Sequence, residues 1–256
     1  MFKELYKYRE LLKTNVRKEI RGKYKGSFLG VLWSFVNPLL MTIVYAIVFP
    51  YLLRNTEPHY VTFIVVGILP WNWFTMNMAL GTTTILANAS IIKKVYFPRE
   101  ILPISVVTSG MINFLISCLI ILLFLIFSGI GLSKYIFLLP IIVIAQYLFT
   151  LGLIFITSAI EVYVRDLEYI INFLVSMLFY ATPILYSPTM FADSKLSILF
   201  KINPMSIIVN AYRDIFFYGN MPHIKTLITL ILGCILFCYL GLLFFKKMSK
   251  GFAEEV

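Results

Sequence analysis

The side chains capable of bond chemistry are few in this sequence, and their spacing argues against most of it. The cysteines Cys118, Cys234 and Cys238 fall within apolar runs, and His59 and His223 stand apart in loop segments. Neither a His/Cys metal site nor a disulfide scaffold can be built from that pattern. A transferase buried in a membrane needs a general base or a metal-binding carboxylate cluster. The one acidic group of note is Glu161, Asp166 and Glu168, interleaved with Arg165 at a short polar turn. It reads as a structural ion-pair turn or a docking site ahead of a catalytic one. The pattern G-x-x-x-x-G-K-[ST] is absent, so the chain holds no phosphate loop for ATP.

Two other groupings suit recognition. The stretch 87–100, ANASIIKKVYFPRE, reads as a short helical piece with Ile91, Ile92, Val95 and Tyr96 on an apolar side and Lys93, Lys94 and Arg99 beside it, stopped by Pro98. Apolar knobs ringed by positive charge fit another protein's groove better than a plain interfacial loop. Further on, Tyr169, Phe173, Ser176 and Tyr180 recur at i, i+4, i+7 and i+11. This aromatic and hydroxyl stripe suits either a path for a sugar-bearing substrate or a packed helix interface, and periodicity alone does not separate the two.

The elements that position these groups are membrane elements. Of 256 residues, 60% are apolar and 13% charged, with a mean hydropathy of +0.90 and a formal net charge of +10. Soluble domains are about 45–50% apolar and about 25% charged, which excludes a water-soluble globule. Six apolar stretches, 32–53, 61–86, 101–127, 135–160, 169–186 and 224–245, approach the roughly 20 residues a spanning helix needs. Six crossings put both termini on one side. Sixteen of the 22 basic residues then share that side, nine of them within the first 25 residues. The positive-inside rule makes it the cytoplasm. This distribution also accounts for the +10 charge without nucleic acid.

The spans differ in character. The third and sixth are nearly pure Leu, Ile and Phe and read as lipid-facing. The second carries Thr62, Asn72, Thr75, Asn77, Thr82, Thr83, Thr84 and Asn88 and is interrupted by Gly67 and Pro70, so it should face protein or water. No span has an ionisable residue at its centre, which removes the proton relays and coupling sites of many pumps and carriers. Energy must come from elsewhere.

Two amphipathic segments flank the spans. Leu5, Tyr8, Leu12, Val16 and Ile20 form a one-sided stripe among basic residues, the pattern of a helix lying in a membrane interface or against a partner. The basic start lacks the short apolar core and small-residue cleavage site of a signal peptide, so it is expected to stay on the protein. In the segment 187–223, Asn203-Pro204 opens a helix over 205–218 with Ile208, Ala211, Tyr212 and Ile215 on one face and Gly219-Asn220 as a stop. It is expected to cap the outer mouth or dip into the outer leaflet, with Arg213 and Asp214 either a surface pair or part of a gate.

The run Tyr24-Lys25-Gly26-Ser27-Phe28-Leu29-Gly30-Val31-Leu32-Trp33 followed by Asn37-Pro38-Leu39 resembles the start of the first span in ABC-2 type permeases that export surface polysaccharides: O-antigen, capsule and teichoic acid. Gly67-Ile68-Leu69-Pro70-Trp71, Lys93 to Glu100, Val164-Arg165-Asp166-Leu167, Asn203-Pro204-Met205 and Tyr212-Arg213 match in order along the chain, and the O-antigen permeases look closest.

The resemblance implies an all-α polytopic membrane protein. Residues 1–256 would form a single transmembrane domain of six helices, with an N-terminal interface helix and short re-entrant helices in the last external segment. It implies a homodimer bound to two ATP-binding subunits, which hold the ATP and Mg, with no cofactor on this chain. The complex would move a lipid-linked polysaccharide across the cytoplasmic membrane, and the permease itself would do no bond chemistry.

Carried onto this sequence, Lys93, Lys94, Val95, Tyr96, Phe97, Pro98 and Arg99 become the coupling element toward the ATPase, joined by Arg165 and Asp166. Ser27, Phe28, Leu29 and Gly30 lie where a lipid headgroup would be admitted. Tyr45, Phe49, Trp71, Trp73, Asn77, Tyr169, Phe173 and Tyr180 are the expected channel lining. In the tail, Lys247, Ser249 and Lys250 stand where relatives often carry an Arg-Glu pair, which leaves the tail's contacts open. A teichoic acid or capsule exporter of the same family is the alternative. A membrane-embedded glycan-processing enzyme and a self-contained carrier are the rivals from other classes.

Overall fold

The computed structural model of the protein describes residues 6–24, 26, 28, 30, 33–53, 58–191 and 196–255. Among them every regular element is helical. The principal helices are α1 (Arg9–Tyr24), α2 (Trp33–Leu53), α3 (Tyr60–Thr82), α4 (Thr84–Ala87), α5 (Ala89–Ile92), α6 (Ile101–Phe127) and α7 (Leu139–Glu161). They are followed by α8 (Leu167–Tyr180), α9 (Leu196–Ile202), α10 (Pro204–Phe216), α11 (Ile224–Met248) and α12 (Phe252–Glu255).

Among the described residues, four segments are long and apolar enough to cross a membrane: Tyr60–Thr82, Ile101–Phe127, Lys134–Glu161 and Ile224–Gly251. The fifth expected span is shorter than the sequence pattern suggests. Its helix stops at Tyr180, and Ala181 and Thr182 lead to Pro183. A proline disfavours helical geometry in the residue before it. Fourteen residues rise about 21 Å, against a hydrocarbon core of about 30 Å. The second expected span also ends early, at Thr82, before two single-turn helices.

Helix α3 is the centre of the bundle. It packs on α2, α6, α7, α8 and α10, and it is buried along most of its length, including Thr62, Asn77 and Thr82. Its polar residues face protein, as expected. The carbonyl of Pro70, inside this helix, accepts from Gln146 Nε2 of α7 at 2.8 Å, and Thr82 Oγ1 donates to Thr157 Oγ1 at 3.1 Å. Both bonds hold α7 against α3 where lipid could satisfy neither group.

The third and sixth expected spans are less alike than their composition suggests. Helix α11 exposes most of its surface, as a lipid-facing helix should, but α6 does so only on one face of its second half, at Leu115, Leu119, Leu123, Ile126 and Phe127. Its other face buries Val106, Val107, Phe114 and Ile121 against α3 and α7. The tightest pairing is α7 with α11. Gly152 and Gly241 meet there so closely that a Cβ on Gly241 would lie 2.6 Å from the Gly152 carbonyl oxygen. Small residues permit this approach of backbones in a membrane, where dispersion rather than the hydrophobic effect holds helices together.

Candidate functional site

A cavity of about 1300 Å³ lies between α2, α3, α6 and α8. Of the expected lining, Tyr45, Trp71, Trp73, Asn77 and Tyr180 border it, and Phe49, Tyr169 and Phe173 do not. The face that α8 turns toward it is Asn172, Val175, Ser176, Phe179 and Tyr180, spaced for a single helix side. The stripe read from the sequence was rotated. Tyr169 and Phe173 stand 69% and 63% exposed on an outer surface, and no described residue of α8 is buried.

Phe179, absent from the expected set, is central. Its ring lies 5.8 Å from Trp71 and 6.1 Å from Tyr45. Phe49 packs behind Tyr45, edge to face at 5.7 Å. On the α6 side Asn113 and Ser117 add polar groups beside Asn72 and Asn77. The wall is thus aromatic with scattered amides and hydroxyls. Such a wall offers stacking and hydrogen bonding together and lacks a charge to fix an ion.

From Trp73 a line of rings leaves the cavity. Trp73 stacks on Phe114 at 5.0 Å, Phe114 meets Tyr212 at 5.5 Å, and Tyr212 lies over Phe216. This line enters α10, which is packed into the bundle rather than resting on its surface. Met205, Ser206, Ile208, Val209, Tyr212, Arg213, Ile215 and Phe216 are all buried, against α3 and α7. Asn203 caps it, its side chain accepting from the Met205 N–H at 3.0 Å.

Of the two roles left open for Arg213 and Asp214, the surface pair is not formed. Arg213 is 1% exposed, its guanidinium lies 3.6 Å from the centre of the Phe63 ring, and it donates to the carbonyls of Pro183 and Ile184, the latter at 2.6 Å. Gly67 makes the space: a Cβ there would stand 2.8 Å from an Arg213 terminal nitrogen. Gly67 is seven residues into α3, about 10 Å along its axis. The spans carry no central charge of their own, but α10 inserts one beside them. An arginine at membrane depth costs on the order of 3 kcal/mol unless carbonyls and rings surround it, as they do here.

At the opposite end of the bundle, the segment 93–100 is largely non-helical. The helical part is α5 alone, followed by a turn at Lys93 and Lys94 and irregular backbone over 95–98. The expected apolar side is divided. Ile92 and Phe97 are buried, whereas Ile91, Val95 and Tyr96 project outward, Tyr96 at 90% exposure, with Lys93 and Lys94 exposed alongside. Pro98 is half-buried. Arg99 is engaged within the chain, 5.7 Å from the Phe252 ring.

Arg165 and Asp166 are exposed on the neighbouring turn, and no ion pair joins Arg165 to Glu161, Asp166 or Glu168, so the ion-pair reading of that turn does not hold. Glu161 is buried instead.

The N-terminal helix lies at this end. Tyr8, Leu12, Val16 and Ile20, with Leu11, form its half-buried side, packed on α6 of the same chain. Lys18 Nζ donates to Asn88 Oδ1 at 3.0 Å. Part of the apolar stripe is therefore satisfied internally. Burial raises the Glu19 carboxyl above its ordinary value, and a hydrogen bond from Lys13 holds Glu10 below its own. Leu5, Ser27 and Leu29 lie outside the described residues. Phe28 is exposed and Gly30 sits at φ +50, a conformation suited to glycine.

The comparisons with known proteins agree with this architecture. A profile described as ABC-2 type transporter matches residues 10–217. The O-antigen export system permease protein RfbA of Myxococcus xanthus is 35% identical over 257 residues, covering 100% of this chain and 99% of that one. Two proteins of the same name from Klebsiella pneumoniae are each 35% identical over 246 residues, or 96% of this chain and 94% of theirs. The chain belongs to the ABC-2 type transporter family.

Membership makes it a multi-pass membrane subunit of an ABC transporter, which works with ATP-binding subunits and is not itself an enzyme. In that light the tail, whose contacts the sequence left open, gains a place. After α11 a 3-10 turn at Ser249–Gly251 drives Phe252 into full burial among Phe245, Tyr163 and Arg99. Tyr163 Oη donates to the Met248 carbonyl at 2.9 Å, and Lys246 pairs with Glu100 at 3.7 Å. The tail thus braces both basic-end turns, 93–100 and 161–168.

Phe252→Ala removes a buried ring, a change worth about 3–5 kcal/mol in cores. The expected result is local: the tail beyond Met248 becomes cleavable by added protease while the bundle's unfolding temperature falls only slightly. A tail as protected as in the parent protein would contradict the docking.

Proposed function

We propose that this chain is the membrane subunit of an ATP-driven exporter of lipid-linked surface polysaccharide, O-antigen foremost. The observation that carries the reading is end-to-end identity of 35% with proteins named O-antigen export permeases. Residues 1–256 form one transmembrane domain. Six crossings, α2, α3, α6, α7, α8 completed by the loop 181–187 that follows it, and α11, place both termini in the cytoplasm beneath the inner membrane. Two copies pair, and two ATP-binding subunits carry ATP and Mg; the permease carries no cofactor. The outward aromatic face of α8, with Tyr169 and Phe173 exposed, supports a second copy as its cover.

In this reading the ridge of Ile91, Lys93, Lys94, Val95 and Tyr96 seats in the ATPase, assisted by Arg165, Asp166 and the basic face of α1. Closure of the ATPase dimer on ATP drives the attached helices as rigid bodies and opens a path. The lipid headgroup is admitted near residues 27–30, and the glycan passes Tyr45, Trp71, Trp73, Asn77, Phe179 and Tyr180. Sugar C–H faces stack on rings without demanding one orientation, and the neutral amides permit sliding because no contact is strong.

The test is reconstitution of the chain with its ATP-binding subunit in vesicles loaded with lipid-linked O-antigen on the cytoplasmic leaflet. The expected outcome is exposure of glycan on the far side only with hydrolysable ATP. Movement by the permease alone, or chemical alteration of the glycan by it, would refute the proposal.

A further inference from the structure

We propose that Arg213 fastens the loop after α8 and helix α10 onto α3, so that the outer end opens by movement of this whole body and not by α10 peeling away. The proposal rests on the transport reading above for its purpose but on geometry for its content. Loop 181–187 leaves a helix end, where carbonyls lack intrahelical partners. Side chains from elsewhere collect them. Arg213 takes Pro183 and Ile184, Tyr60 Oη donates to the Leu185 carbonyl at 2.6 Å, and Asn203 Nδ2 reaches the Ala181 carbonyl at 3.2 Å. These donors belong to α3 and to the N-cap and last turn of α10, so one cluster ties three elements. The guanidinium, over the Phe63 ring and against the bare backbone of Gly67, would have to leave both before α10 could move past α3.

A positive charge bound to carbonyls and buried to 1% exposure does not leave gradually. Withdrawal of α10 would strip several carbonyls of their partner at once, and the cost of exposed backbone polar groups in apolar surroundings opposes it. The arrangement is therefore two-state: fastened or lost. It makes Arg213 a positioning residue, with no contact to cargo required of it.

The test uses the full chain with its ATP-binding subunit, its three native cysteines replaced. Cysteine is placed at Ser206, buried on α10, and in a second protein at Ser158, buried in α7. A charged maleimide reports exposure of each. With Arg213 present both should label slowly in the absence of ATP. In R213Q, labelling at position 206 should rise at least ten-fold while position 158 stays slow. Gly67→Leu, which keeps the arginine but fills its space, should reproduce this pattern, and R213K should fall between.

Unchanged labelling at 206 in both variants would overturn the proposal, whatever happens to export. Equal acceleration at 206 and 158 in both would also overturn it, because the cluster would then hold the whole bundle. If the chain moved no glycan at all, the labelling pattern would still decide the fastening.

Discussion

Lys93→Glu together with Lys94→Glu should abolish ATP-driven export while leaving the subunit folded and in the membrane. Both side chains are exposed and, like Val95 and Tyr96 beside them, make no contribution to the buried core. Surface changes of this kind shift stability by about 0.5 kcal/mol or less, so folding should not suffer. The energetic content of the ridge lies in association. Tyr96, 90% exposed on a non-helical stretch, has the form of an anchor residue, and truncating such an anchor typically costs 2 kcal/mol or more, about a 30-fold loss of affinity. Reversed charge adds repulsion against whatever acidic surface the lysines meet.

The measurement is co-purification of the ATP-binding subunit and glycan export by the same cells. Both should fall together in K93E/K94E, and Tyr96→Ala should weaken retention of the ATPase on its own. Wild-type export from the charge-reversed pair would sink the assignment. Arg99 belongs in a separate variant. Its cation faces Phe252, so its loss releases the tail as well and would confuse docking with bracing.

What the sequence made legible was periodicity and composition, and what it hid was depth and pairing. The half-buried side of α1 matches the stripe Tyr8, Leu12, Val16 and Ile20 because one helix turn fixes which side chains share a face. The polar content of α3 likewise pointed to its burial, since Asn and Thr facing lipid would gain nothing. The surface-pair alternative for Arg213 and Asp214 failed for a physical reason. A 13-residue helix with two charges has the signature of a surface element, and nothing in it states that Gly67, 146 positions earlier, lacks a side chain so that the guanidinium can enter.

The lining of the cavity failed in part for a related reason. Spacing of i, i+4, i+7 and i+11 names a face of α8 but not the direction it points, and a rotation of about one residue exchanges Phe173 for Phe179. The end of α8 was recoverable: Pro183 is visible in the sequence, and an apolar run carried through it to 186 ignored the proline's effect on what precedes it. Phe252 gave no periodic signal, because a single aromatic residue in a short tail has no period.

Gly110→Ala should damage both the fold and the transport path, and a second substitution should repair it. A Cβ on Gly110 would stand 2.1 Å from Asn77 Oδ1 and 2.7 Å from its Cγ. The added methyl would meet Oδ1, Nδ2 and Cγ of Asn77 alike, so the amide as a whole, 1% exposed, must give way and not its tip alone. Overfilling a packed site of this kind costs about 1–3 kcal/mol. The strain falls on the α3–α6 contact, which is the wall of the cavity that carries Trp73, Asn77, Asn113 and Phe114. Moving α6 outward would also break the stack of Trp73 on Phe114 and, through it, the contact with Tyr212 in α10. The variant is therefore expected to unfold at a lower temperature in detergent and to export poorly even where it is folded.

Asn77→Ala alone deletes a polar group from the wall and should cost export more than stability. In the double variant the small side chain at 77 leaves room for the methyl at 110, so the two losses of stability should add to less than their sum, with a coupling of about 1–2 kcal/mol. Strict additivity of the two, or a Gly110→Ala protein that unfolds at the parent temperature, would mean that α3 and α6 can separate freely at this level. The cavity wall would then be a flexible seam rather than a fixed surface. A seam at that point would let the cavity change width without any movement of α10, which is the opposite of the rigid-body opening that the packing of Gly110 against Asn77 implies.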